Sequence, residues 1–251
     1  MAGVKLSKRL MKAAQCVEES RKLTGISADT YTVADVGCDH AYLAIYIVGQ
    51  GTAGRCIASD VRQGPLNAAV EHIKEAGLEE KISTVLSDGV KQIELKQVDC
   101  LCILGMGGRL TARILEDGRE SIRAISAMVL SPQSEPELVR ACVAELGFHI
   151  ESESTVYDEG KYYTIMTVLK GRESRAYAGH ELRLGRALLK RDIDIEVDRL
   201  CAMLDRDKKV RDGLKGRSSE SALESLRTIE AQIDELEKAM AELTEVRDAR
   251  T

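Results

Sequence analysis

The sequence predicts an α/β protein: a Rossmann-like, seven-stranded sheet with a reversed last strand, followed by a C-terminal antiparallel α-helical hairpin. Three observations predict it. Short apolar, β-rich runs alternate with helical stretches from residue 30 to residue 147, the pattern of a parallel sheet covered on both faces. The last two β segments, HIESESTVY and KYYTIMTVLK, are separated only by the turn DEGK, so one strand enters antiparallel. Beyond Gly171 the β signal stops, and apolar residues recur at near-heptad steps.

The elements follow in order. KLSKRLMKAAQCVEESRKL places Leu6, Leu10, Ala13 or Ala14 and Val17 at helical spacing, which predicts an amphipathic helix over 5–24 with a basic outer face. Residues 30–37 and 55–61 read as buried strands around a helix that closes at the Gly49–Gly54 cluster. A helix over 64–77 has Pro65 in its first turn and Gly77 as its stop. Strands over 81–89, 98–108 and 124–132 alternate with helices over 109–118 and 136–147. In the last segment, Leu182, Leu189, Ile193, Val197, Leu200 and Leu204 form one seam. Leu226, Ile229, Ile233, Leu236, Met240 and Leu243 form another, with GRSS (216–219) between them. Two such seams with a short connection make a helical hairpin. The expected domains are therefore 1–170 and 171–251.

A formal charge of -5 gives the chain no overall basic character. Its distribution is more telling: residues 1–24 carry six Lys/Arg against two acids, and 170–218 carry 14 against nine. Such segments are either solvated helix faces or phosphate-binding surfaces. Seven cysteines, an odd number with no CxxC pair, fit reduced thiols in the cytoplasm, and a metal pair at Cys100 and Cys102 is not expected. No signal-peptide core and no membrane-length apolar run is present, so no membrane partner is expected. A monomer is compatible with this pattern. His72, His149 and His180 show no recognisable partners and read as surface or core residues.

In a doubly wound sheet, ligands sit beyond the carboxyl ends of the strands. The residues at those ends are Asp35, Gly37, Asp39 and His40, then Asp60, then Asp88 and Gly89, then Gly105, Met106, Gly107 and Gly108, and finally Ser131 and Gln133. The first loop is not GxGxxG. It has one glycine and puts Asp39 where a pyrophosphate would lie, which disfavours NAD or FAD and favours a cofactor with a cationic group. S-adenosylmethionine has such a group, and its carboxylate could take the helix N-terminus near His40 and Ala41. Asp60, 25 residues after Asp35, suits ribose hydroxyls or else a helix N-cap. Asp88 is a candidate acceptor for an adenine amino group or a turn residue. The three glycines of GMGG permit close approach of a ligand or make a tight turn.

With KLSKRL, ADVGCDHAYL, SDV, SDG and ILGMGG in this order, residues 5–169 resemble the bacterial tRNA (adenine(22)-N1)-methyltransferase family. The trailing hairpin is similar to that family's C-terminal coiled-coil domain. The resemblance implies S-adenosylmethionine-dependent methylation of adenine N1 in tRNA. It implies Asp35, Gly37, Asp39 and His40 as the first cofactor motif, with Asp60 at ribose, Asp88 and Gly89 at adenine, and Gly105, Met106 and Gly107 beside the methyl donor. Gly108 and Gln133 would face the target base, although LSPQSEP departs from the family's Leu-Gln-Pro-Asn. Asp39 would be the catalytic carboxylate, stabilising the charge that the adenine gains. Lys5, Lys8, Arg9, Arg175, Arg183 and Arg186 would contact tRNA phosphates, giving salt-dependent binding. The competing readings are a methyltransferase acting on a small molecule or protein, and a non-catalytic scaffold using its coiled coil.

Overall fold

The computed structural model describes residues 5–217 and 219–250. Ser218, part of the expected GRSS break, lies outside the described residues. The chain divides into two compact units, Met1–Ala176 and Tyr177–Thr251. The division falls past residue 170 because the segment after the last strand is still tied to the first unit. Glu173 Oε1 accepts the Ile150 N–H at 3.0 Å.

The first unit holds one seven-stranded sheet, built from β1 (Thr32–Val36), β2 (Arg55–Asp60), β3 (Ile82–Leu86), β4 (Cys100–Leu104), β5 (Ala127–Ser131), β6 (Phe148–Asp158) and β7 (Lys161–Lys170). The order is β3-β2-β1-β4-β5-β7-β6. The first five strands are parallel to one another, and β7 runs antiparallel to β5 and β6. This is the expected sheet with its reversed last strand. The helices are α1 (Lys8–Thr24), α2 (Tyr42–Gly49), α3 (Gln63–Glu75), α4 (Gly108–Asp117), α5 (Arg119–Ile122) and α6 (Pro136–Glu145).

β1 to β5 are all shorter than expected, and at β3 and β4 the reason bears on the site. β3 stops at Leu86 and β4 at Leu104, because Gly89 (φ 64°) and Gly105 (φ 76°) adopt left-handed backbone that turns the chain out of the sheet. α5 and a 3-10 turn at Leu95–Gln97 were not anticipated; elements this short show no periodicity.

Burial follows from strand alternation. Val33, Cys100, Cys102, Ala127 and Val129 join one apolar cluster with residues of α1, α2 and α3. Their neighbours Ala34, Leu101, Ile103, Met128 and Leu130 are fully buried on the opposite face, where α4 packs on α6 and α6 on β6. α1 is capped by Ser7, whose Oγ accepts the Leu10 N–H at 3.3 Å, and it ends at left-handed Gly25. Between α6 and β6 a bidentate ion pair, Arg140 to Glu153 at 2.8 and 2.9 Å, is completely buried.

The second unit contains α7 (Gly179–Leu184), a 3-10 turn (Ala187–Leu189), α8 (Ile193–Leu214) and α9 (Glu220–Arg250). α8 and α9 form the expected antiparallel pair: Lys208 reaches Glu237 at 3.3 Å, while Arg250 Nη1 donates to the Lys190 carbonyl at 2.7 Å. Leu184, Leu200, Leu236, Ala239 and Leu243 form its core. The first arm is not one helix over the whole seam. Gly185 (φ 85°, ψ 163°) breaks it, and Leu189 lies in the 3-10 turn rather than in α8.

All seven cysteines are free thiols. Among the described residues no helix is long and apolar enough to cross a membrane, and no cluster of His, Cys, Asp and Glu could hold a metal ion.

Candidate active site

The loop from β1 to α2 is held in an uncommon conformation. Gly37 (φ 76°), Asp39 (φ 50°) and Ala41 (φ 58°) all have left-handed backbone. For the two non-glycines this costs of the order of 1 kcal/mol each and persists only when the surroundings impose it. The imposing contacts are visible: the N–H groups of Gly37 and Cys38 both donate to the Ser59 carbonyl, at 2.8 and 2.9 Å, and Ala41 N–H donates to Cys38 O at 2.8 Å. The loop is thereby pinned to the end of β2, next to Asp60.

A cavity of about 410 Å³ opens there, at the carboxyl ends of β1 to β4. Of the predicted residues, Gly37, Asp39, Asp60, Asp88, Gly89, Gly105 and Met106 line it. A Cβ on Gly37 would collide with the Met106 methyl, so the loops after β1 and β4 meet at a glycine. Asp60 is buried, and its Oδ1 accepts the Arg62 N–H at 2.9 Å. Asp88 is bonded to Lys91 at 2.6 Å, and that ammonium holds its carboxyl below the usual range. Asp39 and Asp88 are both exposed, with side chains 65% and 54% accessible, whereas Asp60 is buried.

Several predicted site residues stand elsewhere. Asp35 does not line the cavity; it is buried at the end of β1, where burial and then the nearby Asp60 charge push its carboxyl up to about 7. His40 is also outside the lining. Its ring stacks on Tyr42, centroids 5.5 Å apart, and Tyr42 stacks on His72 at 5.1 Å. α2 begins at Tyr42 with Ala41 as its N-cap, one residue later than expected.

GMGG divides into two roles. Gly105 and Met106 face the cavity. Gly108 instead donates its N–H to Ser134 O at 2.8 Å, and a Cβ there would run into the Ser134 and Glu135 carbonyls. Gly108 is thus needed for backbone approach, not for facing a base. Gly108→Ala is expected to lower stability by about 1–3 kcal/mol, the range for overpacking; unchanged denaturant midpoints would contradict that account.

Gln133 and Arg9 flank the cavity at Gly105. A Cβ on Gly105 would lie 2.9 Å from Arg9 Nη1 and 3.6 Å from Gln133 Nε2. Arg9 is placed by two contacts. Its N–H donates to Asp158 Oδ2 at 3.0 Å, and its guanidinium lies 5.1 Å from the Tyr163 ring centroid. Nη1 is buried and has no hydrogen-bond partner, a donor aimed at the edge of the site. The sequence reading put Arg9 among phosphate contacts; the structure puts its guanidinium beside Gly105, a residue of the cavity lining.

Two other members of the expected phosphate clamp, Arg183 and Arg186, are engaged within the second unit. Arg183 Nε bonds Glu235 at 2.8 Å, and its Nη2 donates to the Gln232 carbonyl. Arg186 is buried beside Glu181 at 3.6 Å, with its guanidinium 4.0 Å from the Tyr177 ring centroid. Both serve the interior of the second unit, as does Lys190, which pairs with Glu196 at 2.9 Å with both side chains buried. A local excess of cations does not reveal which of them fold inward onto acids. Lys5, Lys8 and Arg175 remain exposed. The histidines also have partners: His72 Nδ1 lies 3.2 Å from the His40 carbonyl, His149 lies 3.6 Å from Glu151 and His180 lies 3.1 Å from Glu242.

Sequence reasoning missed Arg62, Ser87, Leu110, Arg113 and Ile114, which also line the cavity. The signal for the last three was available: they follow GMGG at helical spacing, so one face of α4 must look back at the site.

Comparison with known proteins agrees with this geometry. The family model described as tRNA (adenine(22)-N(1))-methyltransferase matches residues 33–238. The enzyme of that name from Bacillus subtilis (strain 168) is 30% identical over 185 residues, 74% of each chain. A Listeria monocytogenes serotype 4b protein superposes with a TM-score of 0.83 at 26% identity, covering 94% of this chain and all of that one. Streptococcus pneumoniae Sp1610, a candidate tRNA (m1A22) methyltransferase solved in complex with S-adenosyl-L-methionine, gives a TM-score of 0.74 at 30% identity over 94% of this chain and all of its own. With a cofactor-sized cavity at the expected strand ends, and with most of its length matched by that model, the chain belongs to the tRNA (adenine(22)-N(1))-methyltransferase family.

Proposed function

We propose that this protein transfers a methyl group from S-adenosylmethionine to N1 of adenine 22 in tRNA, in the cytoplasm. The observation that carries the reading is the two-sided site. Carboxylates and glycine backbone line the cavity, while Arg9 and Gln133 stand beside one of its lining glycines, Gly105.

The residues fit the cofactor by their chemistry. Gly37, Gly89 and Gly105 offer backbone without side chains, and Asp60 and Asp88 offer acceptors suited to ribose hydroxyls and an adenine amino group. Asp35 beneath and Asp39 beside the cavity supply negative potential for a cationic ligand. When bound, S-adenosylmethionine supplies an activated methyl group on a positively charged sulfur.

The protein's task on the substrate side is alignment. N1 of neutral adenine already carries a lone pair, so no general base is required, and rate comes from holding the reacting atoms in line. Gln133 can pair with the adenine N6 and N7 edge, which leaves N1 free. Arg9 Nη1 provides a donor for a substrate phosphate or ring nitrogen. Asp39 faces the charge that the adenine gains; its influence grows once the bound substrate excludes water. Asp39→Ala should lower turnover at saturating cofactor and tRNA by tenfold or more, and full turnover would remove Asp39 from the catalytic role.

The function itself is tested by methyl transfer to a tRNA with adenine at position 22 and to the same tRNA with guanine there. Transfer to the first alone is expected. Equal transfer to both, or to neither, would sink the reading.

A further inference from the structure

We infer that the tip of the β6–β7 hairpin is a stacking platform for an unpaired nucleobase of the RNA substrate, built on the ring pair Tyr157 and Tyr162. The inference rests on the proposed activity toward tRNA and adds a binding surface to it.

The hairpin outruns the sheet. β7 pairs with β5 only from Leu169 to Met166, opposite Ala127 to Leu130, whereas β6 and β7 stay paired as far as Asp158 and Lys161. Tyr162 lies four residues beyond Met166, about 13 Å past the last β5 pair at ~3.3 Å per residue. The two-stranded tip therefore overhangs the edge of the sheet where the cavity opens. It is linked to the cavity through Arg9: Asp158 at the tip accepts the Arg9 backbone N–H, Tyr163 carries the Arg9 guanidinium, and Arg9 Nη1 stands beside Gly105.

Tyr157 and Tyr162 are cross-strand partners, with ring centroids 4.8 Å apart and planes inclined by 51°. By alternation they share the sheet face of Glu153, the residue paired with α6, and the β5–α6 loop on that side carries Gln133. Val156 and Tyr163 take the opposite face and join the core with α1. The pair has no such burial: Tyr157 is 47% exposed.

Aromatic economy makes that exposure informative. The chain has seven Tyr, one Phe and no Trp. Tyr31 and Phe148 are buried, Tyr46 and Tyr163 pack on the core, Tyr177 lies against Arg186, and Tyr42 stacks between histidines. Tyr42 and Tyr157 are the two Tyr side chains more than a third exposed; Tyr157, at the hairpin tip, is the more open of them, with the half-buried Tyr162 ring beside it. Exposed Lys161, Lys8 and Lys5 lie on the hairpin tip and around the first turn of α1, and their charges suit the phosphates of a stacked nucleotide. A base drawn out of folded RNA leaves neighbours unstacked, and an aromatic face is the surface that accepts them.

The absence of tryptophan allows a direct test. Tyr157→Trp gives the protein a single indole at the platform, and its emission is expected to be quenched as tRNA saturates the protein. In the Tyr157→Ala/Tyr162→Ala variant the KM for tRNA should rise tenfold or more, while S-adenosylmethionine affinity by calorimetry stays within twofold. Tyr157→Phe should behave as wild type. Unchanged emission on tRNA binding, or a double variant whose KM stays within twofold, overturns the platform while leaving the enzymatic reading intact. A wild-type protein inert toward tRNA would overturn both.

Discussion

Glu153→Ala is expected to destabilise the first unit by about 3–5 kcal/mol, the cost of leaving a buried charge without its partner. Arg140 and Glu153 are 1% and 0% exposed and joined by two parallel hydrogen bonds at 2.8 and 2.9 Å. Removing the carboxylate takes both of these hydrogen bonds from a guanidinium that stays buried between α6 and β6. For a unit of this size, melting should fall by roughly 6–20 °C. The paired replacement, Arg140→Met with Glu153→Leu, should recover most of that loss, because the desolvation cost of both ions disappears with them. A single variant that melts within 2 °C of wild type would show that the pair has no such role.

Asp35→Asn should act in the opposite direction on stability and strongly on binding. Burial, aided by the Asp60 charge, pushes the Asp35 carboxyl up to about 7 in the folded protein, from an ordinary value of 3.8. Between those two values the folded chain holds a proton that the unfolded chain has released. Stability therefore falls as the pH rises from about 4 to about 7 and is level above that. Three pH units correspond to about 4 kcal/mol at most. The asparagine variant lacks this slope: it should be more stable than wild type at pH 7.5 and equal to it near pH 4. Its cost is functional. A cationic ligand above Asp35 and Asp60 favours the ionised carboxylate, so wild-type affinity for S-adenosylmethionine should tighten as the pH rises to about 7. The variant should bind at least tenfold more weakly with no such dependence. Denaturation curves at pH 4.5 and 7.5, with calorimetric titrations at both, decide the matter. A parallel pH dependence in wild type and variant would assign it to other groups.

The two predictions describe the same sheet under different demands. The ion pair at the β6 side satisfies its charges internally. At the β1–β2 side Asp60 meets only the exposed Arg62 guanidinium, at 3.7 Å, and buried Asp35 feels the Asp60 charge rather than a cation, so their negative potential remains available to a cation from outside. That difference separates a structural polar group from a functional one, and it is invisible in the residue types alone.

What could be read from the chain, and what could not, follows one physical division. Strand and helix alternation, the DEGK hairpin, the reversed β7 and the acids after β1, β2 and β3 were legible, because periodicity and turn chemistry are local properties of neighbouring residues. The same local patterning gave the apolar seams of α8 and α9. The fate of individual side chains was not legible. Arg183 and Arg186 read as phosphate contacts and proved to be tied to an acid and a carbonyl distant in sequence or hidden by burial. Gly108 read as a ligand contact and proved to be a point where two backbone segments touch. Arg9 read as one basic residue among several, and only the packing of α1 against β6 and β7 carries its guanidinium to Gly105. Secondary structure is written in steps of two to four residues. Charge pairing, burial and the assembly of a site depend on contacts across the whole unit, and those are decided only when the sheet closes and each side chain meets, or fails to meet, a partner.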